Sequence, residues 1–312
     1  MAIHVMFSVD WEGTSLLPEN LEAMNELSAK YPIIPRIQFL NPAYFIASEN
    51  WPTDGARELV RLGISDSDEI GLHVHCWERL LRAAHVNFLS QPSFFDGGES
   101  WHWNNEYGGD IPVTSYSQSE LEALFAFSLK TLSHQGYTNI KSFRGGGWCS
   151  SPHLQKALST VGLYNDSSPV PPHLVQQKYP NTFLYDMALQ HWPTTNEISF
   201  PFSTTLDGKV VNFFPNNACL VDYVPFEQAH AVFEAVVEKS RQSKVDGYFH
   251  YGWHQETLVQ ALRRQTDDTF LLKSTNYYAE IDQMMGYLSR RASSGLEINF
   301  CTIESFNRTQ KI

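Results

Sequence analysis

Apolar runs that end in ionisable residues recur along this chain, and their spacing predicts a parallel α/β fold. Ile3-His4-Val5-Met6-Phe7-Ser8-Val9 leads into Asp10-Trp11-Glu12, and Glu69-Ile70-Gly71-Leu72-His73-Val74-His75 carries two histidines two residues apart. Residues two apart on a strand project from one face, so each pair is presented together. Residues 117–133 place Leu121, Leu124, Phe125, Phe127, Leu129 and Leu132 at helical spacings. That helix opens on Ser117-Gln118-Ser119-Glu120 as a capping box and stops before Gly136. Residues 140–143 form the next predicted strand, with Arg144-Gly145-Gly146-Gly147-Trp148 as its loop. Residues 152–161 read as a short helix leading through Gly162-Leu163-Tyr164 to the polar turn Asn165-Asp166-Ser167-Ser168. Further on the pattern predicts a helix over 226–240, a strand over 247–253 ending at His254, a helix over 277–291 and a last strand over 296–303. Helix, short apolar run and polar or Gly-rich turn is the rhythm of such folds.

Two regions break this rhythm. Residues 84–116 are long for a loop and rich in aromatics and glycine, which suggests a substrate-facing lid inserted between elements. Residues 169–223 are rich in Pro and Asn, with β-like pieces at 197–203 and 209–214, and predict a side hairpin rather than a second domain. The Tyr and Asn side chains at about 212–223 are candidates to border a glycan groove.

Composition narrows the class. With 312 residues, 42% hydrophobic and 13% aromatic, the chain can bury a full core, and the reading is one domain over 1–312. Cys76, Cys149, Cys219 and Cys301 stand singly, without metal-knuckle or disulfide-framework spacing, which fits a reducing compartment. No leader pattern or 18-residue apolar stretch is present, so the expectation is a soluble, cytoplasmic protein with no integral membrane segment. A formal charge of −12 and the lack of any Lys/Arg run disfavour nucleic acid as a partner.

The chemistry follows from where strands end. Parallel strands in α/β folds present their carboxyl ends along one edge. Asp10 and Glu12, His73 and His75, Arg144, Asp166 and His254 each close a predicted strand, and five polar strand ends on one edge mark an active site. A lone HxH pair is a weak motif. With the Asp10 and Glu12 pair placed likewise, the four residues supply two nitrogens and a carboxylate for a divalent metal and a spare carboxylate for a base. Three consecutive glycines after Arg144 admit close backbone approach, so an amide there can face an oxyanion, while Arg144 can grip a carboxylate bidentately. His250 and His254 share a strand face, and either suits a general acid; His254, at the strand end, is preferred.

At these residues the chain resembles the polysaccharide deacetylases, the NodB-type carbohydrate esterases, as a divergent member. Phe7-Ser8-Val9-Asp10-Trp11-Glu12-Gly13 is similar to the family's first acidic motif, and the lead-in Glu69-Ile70-Gly71 to His73 matches its second. Arg144 to Trp148, Asp166 and His254 resemble the remaining three. The family commonly places its second histidine four residues after the first; this chain has Trp77 there, and His75 substitutes. The third motif has Gly145 and Gly146 where a proline is usual, and Gly147 where an aromatic residue often donates its amide.

The resemblance implies a distorted (β/α) barrel and metal-dependent removal of an N-acetyl group from an amino sugar or glycan intermediate, probed first in surface-polysaccharide biosynthesis. It implies Zn²⁺, or Co²⁺ or Ni²⁺, on Glu12, His73 and His75. It makes Asp10 the base, steered by Arg144, and His254 the acid, oriented by Asp166, with the Gly147 amide on the oxyanion. Trp101, Trp103 and Trp148 become candidates to stack on sugar rings. The rival readings are an amidohydrolase of a small nitrogen compound, on the same metal site, and a non-catalytic carbohydrate-binding relative.

Overall fold

The computed structural model describes residues 1–48, 53–103, 106–265 and 269–310. The strands are β1 (Ile3–Asp10), β2 (Arg36–Leu40), β3 (Glu69–Val74), β4 (Ser142–Gly145), β5 (Asn165–Asp166), β6 (Phe202–Leu206), β7 (Lys209–Phe213), β8 (Gly247–His254), β9 (Gln260–Arg264), β10 (Phe270–Ser274) and β11 (Ile298–Phe300). The helices are α1 (Pro18–Lys30), α2 (Ala56–Leu62), α3 (Glu78–Ala83), α4 (Gln118–His134), α5 (Pro152–Thr160), α6 (Pro172–Lys178), α7 (Phe183–His191), α8 (Phe226–Ser243), α9 (Tyr277–Ser293) and α10 (Ile303–Gln310).

β1 is buried at all eight positions, as expected of a central parallel strand covered on both faces. One edge pairs with β8 over its whole length, from Ile3 opposite Gly247 to Asp10 opposite His254. The other edge is shared: β11 takes Ile3 to Val5 and β2 takes Phe7 to Asp10. The sheet continues through β3, β4, β5 and β7, all in parallel, to the antiparallel edge strand β6. Beyond β7 the chain returns to β8, where Ala218 N–H donates to the His250 carbonyl and Val221 N–H to that of Gly252. The sheet therefore curls into a distorted barrel with every parallel carboxyl end on one rim.

The helical expectations match within a few residues. α4 carries the full capping box, with the Ser117 and Glu120 side chains serving each other's backbone amides. It buries Leu121, Leu124, Phe125 and Leu132, each burial stabilising by about 1.5–3 kcal/mol relative to exposure. β4 starts and ends two residues later than predicted, because Val74 of β3 pairs with Gly145 and draws the strand into the glycine run. The last strand is shorter than predicted, since β2 already occupies the remaining edge of β1.

Residues 84–116, the stretch expected to be a substrate-facing lid, are pinned by internal hydrogen bonds; 104–105 of this stretch lie outside the described residues. Asp110 accepts from the Ser93 and Ser100 hydroxyls, both at 2.5 Å, and from Trp101 N–H at 3.1 Å. Residues 169–223 contain α6 and α7 besides the hairpin, whose first strand is β6, later than the expected 197–203 piece. Among the described residues no helix is long and apolar enough to cross a membrane.

Candidate metal and active site

The strand ends meet in one cleft of about 300 Å³ lined by Asp10, Glu12, His73, His75 and His254. Pairing register explains the convergence: Asp10 lies beside His254, and His73 beside Arg144. Glu12 is the focus. His75 Nε2 lies 2.6 Å from its Oε2, and the Nε2 atoms of His73 and His254 each lie 3.3 Å from Oε1.

The far side of each imidazole is occupied. His73 Nδ1–H donates to the Arg144 carbonyl at 2.8 Å, and His75 Nδ1–H to that of Gly109. Anchoring Nδ1 in this way leaves the Nε2 lone pair facing Glu12 in the neutral ring, the arrangement that second partners give to metal-bound histidines. Glu12, His73 and His75 offer donor atoms all within 4.8 Å of one another. One hard oxygen and two imidazole nitrogens, with lone pairs that repel unless a cation sits between them, suit zinc, cobalt or nickel. Burial opposes ionisation of Glu12, yet the facing His75 and His254 hold its carboxyl well below the usual range. Burial likewise opposes charge on His75, and Glu12 outweighs it, raising the imidazole.

Asp10 is almost fully buried, and its Oδ1 accepts from Arg144 Nη1 at 2.6 Å. The Arg144 grip is not the bidentate one expected. Nη1 also donates to Ser8 Oγ, Nη2 to Ser167 Oγ, and Nε to the Ser167 carbonyl, because the guanidinium is wholly buried and every donor needs an acceptor. His250 sits beneath this network, 2.9 Å from Ser8 Oγ, and is absent from the cleft, which leaves His254 there.

Asp166 does not meet His254. Its oxygens accept from Ser168 N–H at 2.8 Å and from the Gln155 amide, and burial pushes its carboxyl up to about 6. The residues 217–221 lie against β8 instead, so Asp222, at their end, stands where Asp166 was expected. Asp222 Oδ1 accepts from His254 Nδ1 at 3.0 Å, and its Oδ2 from Lys178. Burial works against the Asp222 charge, and His254 and Lys178 overcome it, holding the carboxyl well below the usual range. Burial also disfavours charge on His254, but Asp222 and Glu12 push it up to about 9.

The third motif lines the cleft through Gly145, Gly147 and Trp148. Gly147 has φ +63°, a conformation open to glycine at little cost. A Cβ on Gly146 would fall 2.6 to 2.7 Å from three atoms of the His75 ring, so this position is empty because the imidazole fills it. Trp77, in the place of the family's second histidine, donates from Nε1 to the Glu12 carbonyl at 2.6 Å. Trp101, Trp103 and Trp148 all reach the cleft: Trp148 is buried edge-on to Tyr223, while Trp101 is 43% exposed and stacks on Phe95. Of the 212–223 stretch, Asp222 and Tyr223 line the cleft; Asn217 is buried beneath β8, holding Tyr248 and His250.

Besides Asp222, sequence reasoning missed Lys178, Tyr179, Arg263 and Glu256, all of which line the cleft. Two carried a usable signal. Ala218-Cys219-Leu220-Val221-Asp222 is an apolar run closed by an acid, as at Val9-Asp10, and Glu256 follows His254 by two residues. Glu256 Oε1 accepts from Glu12 N–H at 2.9 Å and from the Tyr44 hydroxyl. Burial first, then the Glu12 charge, push it up to about 8.

No protein-family model matches the chain, and no curated protein matches it. Solved structures do. A protein from Mycobacterium smegmatis provisionally assigned as a polysaccharide deacetylase superposes with a TM-score of 0.57 at 10% identity, covering 100% of this chain and 92% of that one. A 4-alpha-glucanotransferase from Thermococcus litoralis superposes with a TM-score of 0.50 at 15% identity, over 97% of this chain and 40% of that one. The fold is the distorted (β/α) barrel of the polysaccharide deacetylases.

Proposed function

We propose that this chain is a metal-dependent hydrolase that removes an N-acetyl group from an amino sugar or glycan intermediate, with surface-polysaccharide assembly as its setting. The observation that carries this reading is the convergence of Glu12, His73 and His75 between two further pairs, Asp10 with Arg144 and His254 with Asp222, in one aromatic-walled cleft. A divalent cation on Glu12, His73 and His75 would polarise the acyl carbonyl and acidify a water molecule.

The chain's own groups do the rest. Asp10, its Oδ1 fixed by Arg144, takes a proton from the attacking water as oxygen bonds to the acyl carbon. The Gly147 amide is the candidate donor to the oxygen that gains negative charge. His254, held through Nδ1 by Asp222, delivers the Nε2 proton to the leaving nitrogen as the C–N bond breaks. Acetate and a free amino sugar result. An unprotonated amide nitrogen leaves poorly, so the acid is needed as much as the base. Trp101, 43% exposed where it lines the cleft, is the candidate to meet a sugar at the mouth.

The test is acetate release from N-acetylated oligosaccharides and nucleotide-linked N-acetylamino sugars by the zinc-, cobalt- or nickel-loaded protein. Asp10→Asn should lower the rate by roughly 10²–10⁴-fold, the span of general base catalysis. Absence of acetate from every substrate, with metal bound, would refute the reading.

A further inference from the structure

Every acid in the cleft is already engaged. Asp10 is on Arg144, Glu12 among three histidines, Asp222 between His254 and Lys178, Asp110 on two serines, and Glu256 on Tyr44 and the Glu12 amide. One basic group, Arg263, is not matched in the same way. β9 brings Arg263 to the cleft, alongside Lys178 of α6 and Tyr179, the residue that closes that helix. Arg263 is half-buried and has no acidic partner among the described residues, although the chain carries 34 acids against 22 Lys and Arg. A guanidinium that has lost part of its hydration without a counter-charge is costly to keep, and its planar fork matches carboxylate and phosphate.

Two neighbours complete the setting. Lys178 bonds Asp222, with its Nζ 4.2 Å from the Tyr223 ring centre and 5.4 Å from that of Tyr179. An ammonium has three donors, and the side chain keeps 23% exposure, so it can serve a ligand besides Asp222. Burial first raises the Tyr179 phenol; Lys178 and Arg263 pull it down, while Asp222 and Glu12 push it up. Glu12, Lys178, Tyr179 and Arg263 thus line one cleft, and the phenol feels the charges of the other three.

We infer that Arg263, flanked by Lys178 and the Tyr179 hydroxyl, binds an anionic oxygen group of the substrate, a carboxylate or a phosphate, apart from the acyl group that is hydrolysed. This assignment rests on the deacetylase reading and names the substrate class: an acidic or phosphorylated N-acetylamino sugar rather than a neutral one.

The test is calorimetric binding of three probes to the full, metal-loaded chain: N-acetylglucosamine, N-acetylglucosamine 1-phosphate and an N-acetylated aminouronic acid. The wild type should favour at least one anionic probe over the neutral one by about tenfold, the weight of one charge-assisted contact. Arg263→Gln should bring that ratio close to one. Arg308→Gln, on α10 and paired with Glu304, should keep it, which separates a local contact from a change in net charge. The probe whose preference depends on Arg263 distinguishes carboxylate from phosphate. Equal affinity for all three probes in the wild type, undetectable binding included, would overturn the inference, as would a ratio that survives Arg263→Gln. Acetate release is scored separately. An Arg263-dependent ratio without acetate would remove the deacetylase reading and keep the anion site, whereas acetate with a ratio of one would do the reverse.

Discussion

Replacing Gly146 with alanine tests whether the glycine run exists to let His75 close on the metal position. The new Cβ would lie 2.6 Å from the imidazole, and ordinary contact begins at 3.4 Å, so the ring must retreat by about 0.8 Å. It has little freedom to do so. Its Nδ1 is tied to the Gly109 carbonyl, Phe94 meets it edge-on at 6.2 Å between centres, and His73 lies at 5.0 Å. Metal–ligand distances tolerate about 0.2 Å, so the required movement exceeds the tolerance several-fold. Gly146 is not at positive φ, and alanine adds no left-handed strain there. The expected result is a loss of zinc affinity of at least ~10–100-fold, the penalty seen when the support of a ligand is disturbed. Unfolding free energy should fall by no more than the ~1–3 kcal/mol of an overpacked site. Competition with a chromophoric chelator gives the affinity, and urea unfolding gives the stability. Zinc binding as tight as wild type would refute the placement of His75 in the ligand set.

Three further outcomes follow. Asp222→Asn should reduce the turnover rate by roughly 10²–10⁴-fold with metal content unchanged, because it frees the His254 tautomer without touching Glu12; a rate near wild type would remove Asp222 from the machinery. Asp166→Asn should leave turnover near wild type, and a loss matching that of Asp222→Asn would restore Asp166 to the role expected from sequence. The same Asp166 variant should alter the pH dependence of stability. Burial raises the folded carboxyl from 3.8 to about 6, so the folded state binds more protons in that interval, and wild-type stability present below pH 3.8 is lost as pH rises through 6. The variant should therefore gain on wild type by up to about 3 kcal/mol between pH 4 and 7, and unfolding curves that stay parallel across that range would refute it.

The legible parts of the site were those where an apolar run handed over to an ionisable residue. β1 into Asp10 and Glu12, β3 into His73 and His75, and β8 into His254 all show this signal, and the shared rim follows from parallel pairing. β2 was missed for the opposite reason. Arg36 and Gln38 interrupt its apolar pattern, and only the structure shows Asp68 satisfying both, at 2.6 and 2.7 Å. Asp166 stood as the partner of His254 in the sequence because it closes a predicted strand in the right order along the chain. The partner of His254 depends instead on which segment lies beside β8, a long-range contact that no local pattern encodes. The glycine run was read as backbone for an oxyanion; Gly146 also makes room for His75, a packing demand visible only once both are placed. Arg263 had no signal at all, since its meaning lies in having no acidic partner among the described residues.

The most direct test of the account is elemental analysis of the purified wild type beside the His73→Ala, His75→Ala double variant, each after exposure to zinc, cobalt and nickel. The account predicts about one equivalent of divalent metal per wild-type chain and a loss of that metal in the double variant. Negligible metal in both, or equal metal in both, would contradict it.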